Sequence, residues 1–152
     1  MARSRRIAPV WLIGLAGSPF GFYGGIVFYA IPQLLAARHV PEVQIAGLSG
    51  MLILPFMLGV FVAPILDVHF SRRWYATVCC TVAALLMTSA LLNMGDLRLL
   101  GGVLFGGVIS MSLFAAALGG WLLSVIPIVD QPTLSAWSNR GNIGAGGVMA
   151  YV

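Results

Sequence analysis

The sequence predicts an all-α fold, a polytopic bundle of about five transmembrane helices, on three observations. Of the 152 residues, 60% are apolar and only 8% are charged, against roughly 25% charged in a soluble domain. The chain also divides into apolar runs close to the roughly 20 residues that a helix needs to cross a bilayer, all but the last free of charge. Short polar segments separate the runs, with no extramembrane domain or linker between them. So few charges cannot cover a water-facing surface, which excludes a soluble enzyme, a disordered tail and a nucleic-acid binder.

The spans are expected at 9–35, 43–66, 74–92, 99–126 and 133–152, in a single domain. They are read as helices because lipid leaves no partner for backbone N–H and C=O groups outside the segment itself, and the runs are too long and too uniformly apolar for barrel strands. The first follows Arg3, Arg5 and Arg6. It outlasts the roughly 7–15 residues of a signal-peptide core and is a retained span. Arg38-His39-Val40-Pro41-Glu42 separates the first two runs, and the segment from Asp67 to Arg73 separates the second from the third. The segments from Asn93 to Arg98 and from Asp130 to Pro132 complete the punctuation.

With the N-terminus in the cytoplasm, Arg3, Arg5, Arg6, Arg72 and Arg73 fall inside and Arg38 and Arg98 outside. This is the arrangement favoured by the positive-inside rule. The location expected is a cell inner membrane, multi-pass. The last run reaches Val152 without a polar flank, so the expectation is a chain truncated before a sixth helix.

Within the spans, Gly17, Gly21 and Gly25, then Gly102, Gly106 and Ser110, then Gly141, Gly144 and Gly147 form small-residue stripes that let helix backbones approach closely. Pro19, Pro32, Pro55, Pro64 and Pro127 each remove a backbone hydrogen bond and are expected to bend a helix. Cys79 and Cys80 lie side by side in an apolar run and read as small packing residues, not redox groups.

Arg140 falls about 10 Å into the fifth run at 1.5 Å per residue, flanked by Asn139 and Asn142. Burying such a charge in lipid costs about 2.5–3.5 kcal/mol or more, so it must face protein or water. It either holds an anionic part of a solute or snorkels to the inner surface. Tyr23 is a further candidate for a solute-facing side chain. Asp67, at the end of the second run, has the wrong sign for a helix C-terminus and calls for a cationic partner: Arg72, Arg73 or the end of another helix. Such a bridge is either a fixed loop tie or a contact that breaks between two conformations. No catalytic constellation, metal-ligand cluster or cofactor motif is visible. The function expected is not enzymatic.

The stretch Ala63-Pro64-Ile65-Leu66-Asp67-Val68-His69-Phe70-Ser71-Arg72-Arg73 resembles the loop signature of the major facilitator superfamily, Gly-x-Leu-Ala-Asp-Arg-x-Gly-Arg-Arg/Lys. The acid and the terminal basic pair match, while Ala63, Val68 and Phe70 depart from it. Pro64, Asp67, Arg72, Arg73 and Trp74 are similar to the looser pattern of the branch holding muropeptide permeases and acetyl-coenzyme A transporters. The stretch 135–147 resembles the glycine-rich opening of that branch's fifth helix. The resemblance implies helices 1 to 5 of a twelve-helix secondary transporter, with solute bound between two six-helix halves and alternating access by rocking. It implies a gating role for Asp67, Arg72 and Arg73, and a cavity-facing role for Arg140, Tyr23, Asn139 and Asn142. The partners would be a small-molecule solute, the lipid bilayer and the missing C-terminal half, with no cofactor and no nucleic acid. The competing expectation is a small structural subunit of a membrane complex that transports nothing.

Overall fold

The computed structural model describes residues 9–62, 66 and 71–151. Among them the chain forms five helical segments and no strand: α1 Val10–Ala37, α2 Glu42–Val62, α3 Arg72–Leu92, α4 Leu97–Val125 and α5 Gln131–Ala150. Three of these, α1, α3 and α4, are long and apolar enough to cross a membrane. α2 is a 21-residue helix whose sequence is apolar through to Val62, and α5 carries Gln131, Asn139, Arg140 and Asn142.

Helix ends depart from the ends of the apolar runs because caps, not hydropathy, decide where a helix begins. Asp96 is the N-cap of α4, and its carboxylate accepts from the backbone N–H of Arg98 at 2.9 Å and of Leu99 at 3.2 Å. This satisfies two of the donors that every helix N-terminus leaves open. Arg98 therefore lies inside the first turn of α4, and Arg72 and Arg73 open α3 after the extended Ser71. Pro127, expected to bend the fourth span, instead lies beyond its end. Ile126 is extended at φ −96° and ψ 133°, as a residue before proline prefers.

Pro19 and Pro32 do break α1, and the backbone shows how. Pro19 has no N–H for the carbonyl of Leu15, which accepts from Ser18 in a tight 3₁₀ turn over Leu15–Gly17. Ahead of Pro32 the chain widens into a π turn over Ile26–Ala30, where the Ile31 N–H reaches the Ile26 carbonyl. Each change of pitch absorbs a hydrogen bond that proline cannot make. Pro55 lies inside α2, and Pro64 lies outside the described residues.

The turn from α1 to α2 is a Schellman motif, with the Val40 N–H bonded to the Leu35 carbonyl and the His39 N–H to that of Ala36. His39 occupies the left-handed position at φ 59°, which normally falls to glycine. His39→Gly is expected to stabilise the fold by about 1 kcal/mol, read as a higher melting temperature in detergent.

Packing centres on α4. Along α3, Ala76, Ala83, Met87 and Ala90 recur at intervals of seven, four and three and bury against it. Val27, Ile31 and Leu35 of α1, Leu52 of α2 and Leu100, Leu104 and Val108 of α4 are almost wholly buried together. Phe56 of α2 meets Phe20 edge-on at 5.5 Å and Phe28 at 5.7 Å. Cys79 and Cys80 are free thiols packed at the edge of this core.

The fifth helix docks on the first through glycine. A Cβ at Gly14 would strike Trp137, and one at Gly17 would stand 3.0 Å from the Ser138 hydroxyl. At Gly21 it would run into the Asn142 carbonyl group, and at Gly25 it would stand 2.7 Å from the Met149 Cβ. The numbering advances together on both helices, so α1 and α5 run parallel. The expected stripe at Gly17, Gly21 and Gly25 is thus a packing seam, extended by one turn to Gly14.

The other two stripes are corrected. On α5, Gly144 and Gly147 face open space, and the seam uses Ser138, Gly141, Asn142 and Gly146. On α4, Gly102 faces open space and Gly106 meets Leu86 of α3, while the closer contacts fall outside the stripe, Gly101 with Leu48 and Gly107 with Tyr23. Spacing along one helix identifies a stripe, but which stripe is covered depends on where the neighbouring helix lies.

Candidate functional site

Tyr23 sits on the face of α1 that turns towards α4. It is 6% exposed, and its hydroxyl lies against the backbone of α4 at Gly107, where a Cβ would not fit. Among the described residues this hydroxyl has no hydrogen-bond partner. A buried donor left unmade costs about 1–3 kcal/mol. Tyr23→Phe is therefore expected to raise the melting temperature, checked by thermal unfolding of the purified protein. An unchanged or lower melting temperature would mean that the hydroxyl finds a partner when the protein is embedded.

The polar residues of α5 divide between two faces. Asn142 points into the seam with α1, its carbonyl against Gly21. Asn139 and Arg140 are exposed. Arg140 lies over the ring of Trp137 one turn earlier, at 5.2 Å from its centroid, a cation–π contact worth about 0.5–1 kcal/mol at an exposed site. Asn139 also borders a cleft of about 250 Å³ between α4 and α5, together with Ser135 and Ser138. Tyr23, in the core between α1 and α4, does not share this surface. The structure thus sets Asn139 and Arg140 on the open face of α5 and leaves Tyr23 and Asn142 in helix contacts.

Arg72 and Arg73 come together at the end of the bundle where α4 finishes. The Arg72 guanidinium lies on α4 at Gly120, in the space that a side chain there would occupy. Arg73 lies 5.9 Å from the ring centroid of Trp121. Two cations beside the last turns of α4 complement the negative end of its dipole. Arg73 also borders a cleft of about 350 Å³ between α1, α3 and α4, with Thr77, Cys80 and Thr81 along one wall. The two threonine hydroxyls donate to their own helix, Thr77 to the Arg73 carbonyl at 3.1 Å and Thr81 to the Thr77 carbonyl at 2.9 Å. Asp67, the acid paired with these arginines in the sequence pattern, lies outside the described residues.

Gly120 and Gly107 are contact sites that sequence reasoning passed over. The doublets Gly106-Gly107 and Gly119-Gly120 are visible in the chain, but nothing in them tells which member of each pair meets a neighbour. Among the described residues no group of three His, Cys, Asp or Glu side chains could hold a metal ion. The chain matches no protein-family model, and no curated protein or solved structure is significantly similar to it.

Proposed function

We propose that the chain forms five membrane-crossing helices of a secondary active transporter that moves a small solute by alternating access. The observation that carries this reading is Arg140 with Asn139 on the open face of α5, a helix held by backbone contact against the apolar α1. In a bilayer such a face has to meet water or protein, and an intramembrane arginine is by default a functional group.

The broken α1 supports the same reading, because interrupted helices line the solute path in many transporter folds. So does the docking of Arg72 and Arg73 on the last turns of α4, which would steady one conformation, with Asp67 as their acid in the resembling loop signature. On this reading the protein resembles the N-terminal half of a major facilitator and lies in a cell inner membrane with its N-terminus in the cytoplasm. A second half would complete the path, and the chemistry needs no cofactor or catalytic residue.

The second reading, a structural subunit that transports nothing, draws on the α1–α5 seam, which close packing alone explains. The two separate in one experiment: solute uptake by the complete protein in proteoliposomes, compared with Arg140→Ala. Loss of uptake at normal abundance supports the transporter. Absence of uptake for every solute class offered supports the subunit.

A further inference from the structure

The helices α2 and α4 start at the same end of the bundle and run side by side, and between their first turns lies a cleft of about 550 Å³. This is within the roughly 300–1,000 Å³ typical of ligand sites. It is amphipathic by depth. Gln44 and Arg98 stand near the helix starts, while Leu48 and Met51 lie one and two turns further in. The cleft is open because two side chains are missing from its walls: a Cβ at Gly47 or Gly102 would meet nothing within 4 Å. At Gly101 the helices touch, with a methyl of Leu48 at 3.2 Å from the position of a Cβ.

We propose that this cleft holds one acidic phospholipid, with its phosphate on Arg98 and Gln44 and an acyl chain against Leu48, Met51 and the glycine walls. Charge complementarity selects the headgroup. Among the described residues no carboxylate forms an ion pair with Arg98, and the nearest acid in sequence, Asp96, is turned onto the backbone of α4. The depth of the cleft selects an amphiphile, because a free anion would leave the apolar wall uncovered. The site is independent of transport and stands or falls apart from the role of Arg140.

The test is native mass spectrometry of the full chain in detergent, titrated with phosphatidylglycerol, phosphatidylcholine or inorganic phosphate. One phosphatidylglycerol is expected to remain bound in preference to phosphatidylcholine. Arg98→Gln should weaken its retention about tenfold, the loss of one charge-assisted contact. Gly102→Leu should weaken it similarly by filling the groove, with the melting temperature unchanged because the new side chain enters open space. Arg38→Gln, which removes another exposed arginine outside the cleft, should leave retention as it is. The proposal is overturned if both cleft variants retain phosphatidylglycerol like the parent, if Arg38→Gln loses as much, if phosphatidylcholine binds equally, or if phosphate alone displaces the lipid.

Discussion

Gly21→Leu is expected to leave almost no folded protein. The Cβ position at Gly21 is occupied by the Asn142 carbonyl group, with its carbon at 2.8 Å. The obstacle is backbone, so no rotamer change relieves it and α5 has to move off α1. Separating the two helices exposes the contacts at Gly14, Gly17 and Gly25 as well. Forcing side chains into a packed contact costs about 1–3 kcal/mol where neighbours can shift, and a loss above about 4 kcal/mol is expected here because they cannot.

Gly24 is the internal control, three residues further along the same helix, with nothing within 4 Å of its Cβ position. Gly24→Ala should be neutral or stabilising by up to about 1 kcal/mol from helix propensity. Size-exclusion profiles and thermal unfolding in detergent report both. A Gly21→Leu protein that melts with the parent would mean that α1 and α5 are not apposed.

Arg140→Ala should reduce uptake by a factor of roughly ten to a hundred, the loss of one or two hydrogen bonds to a charged group. Abundance and melting temperature should stay normal. Arg140 is exposed, and its described partner is the Trp137 ring at 5.2 Å, so truncation removes about 1 kcal/mol or less of stability. Arg140→Lys should retain part of the uptake if charge is what the solute needs, and little if the planar fork is needed. Unchanged uptake in Arg140→Ala would dismiss the role in solute binding. A fall in abundance with uptake per molecule unchanged would make the residue structural.

These outcomes bear on what could be read along the chain. Among the described residues the polar punctuation separates the helices, because a break in the apolar pattern and a break in the helix fall in the same segments. The exact ends escaped that reading: Arg72, Arg73 and Arg98 begin helices that the charges were expected to precede. A guanidinium is compatible with a first turn, and the cap at Asp96 sets the start of α4. Both proline breaks in α1 were legible, since a missing N–H acts through its own backbone. Pro127 differed because its effect depends on whether the helix continues past it.

The sequence alone determined the helical class and the breaks at Pro19 and Pro32, since these follow from composition and from bonds within a few residues of each other. The tertiary structure decided which glycines are covered, that Tyr23 enters the core while Arg140 stays on an open face, and that Arg72 lies on Gly120. The physical reason is that a helix presents every residue to some direction. What occupies that direction is set by residues far along the chain, 48 positions away for Arg72 and Gly120 and 121 for Gly21 and Asn142, and no local spacing encodes the encounter.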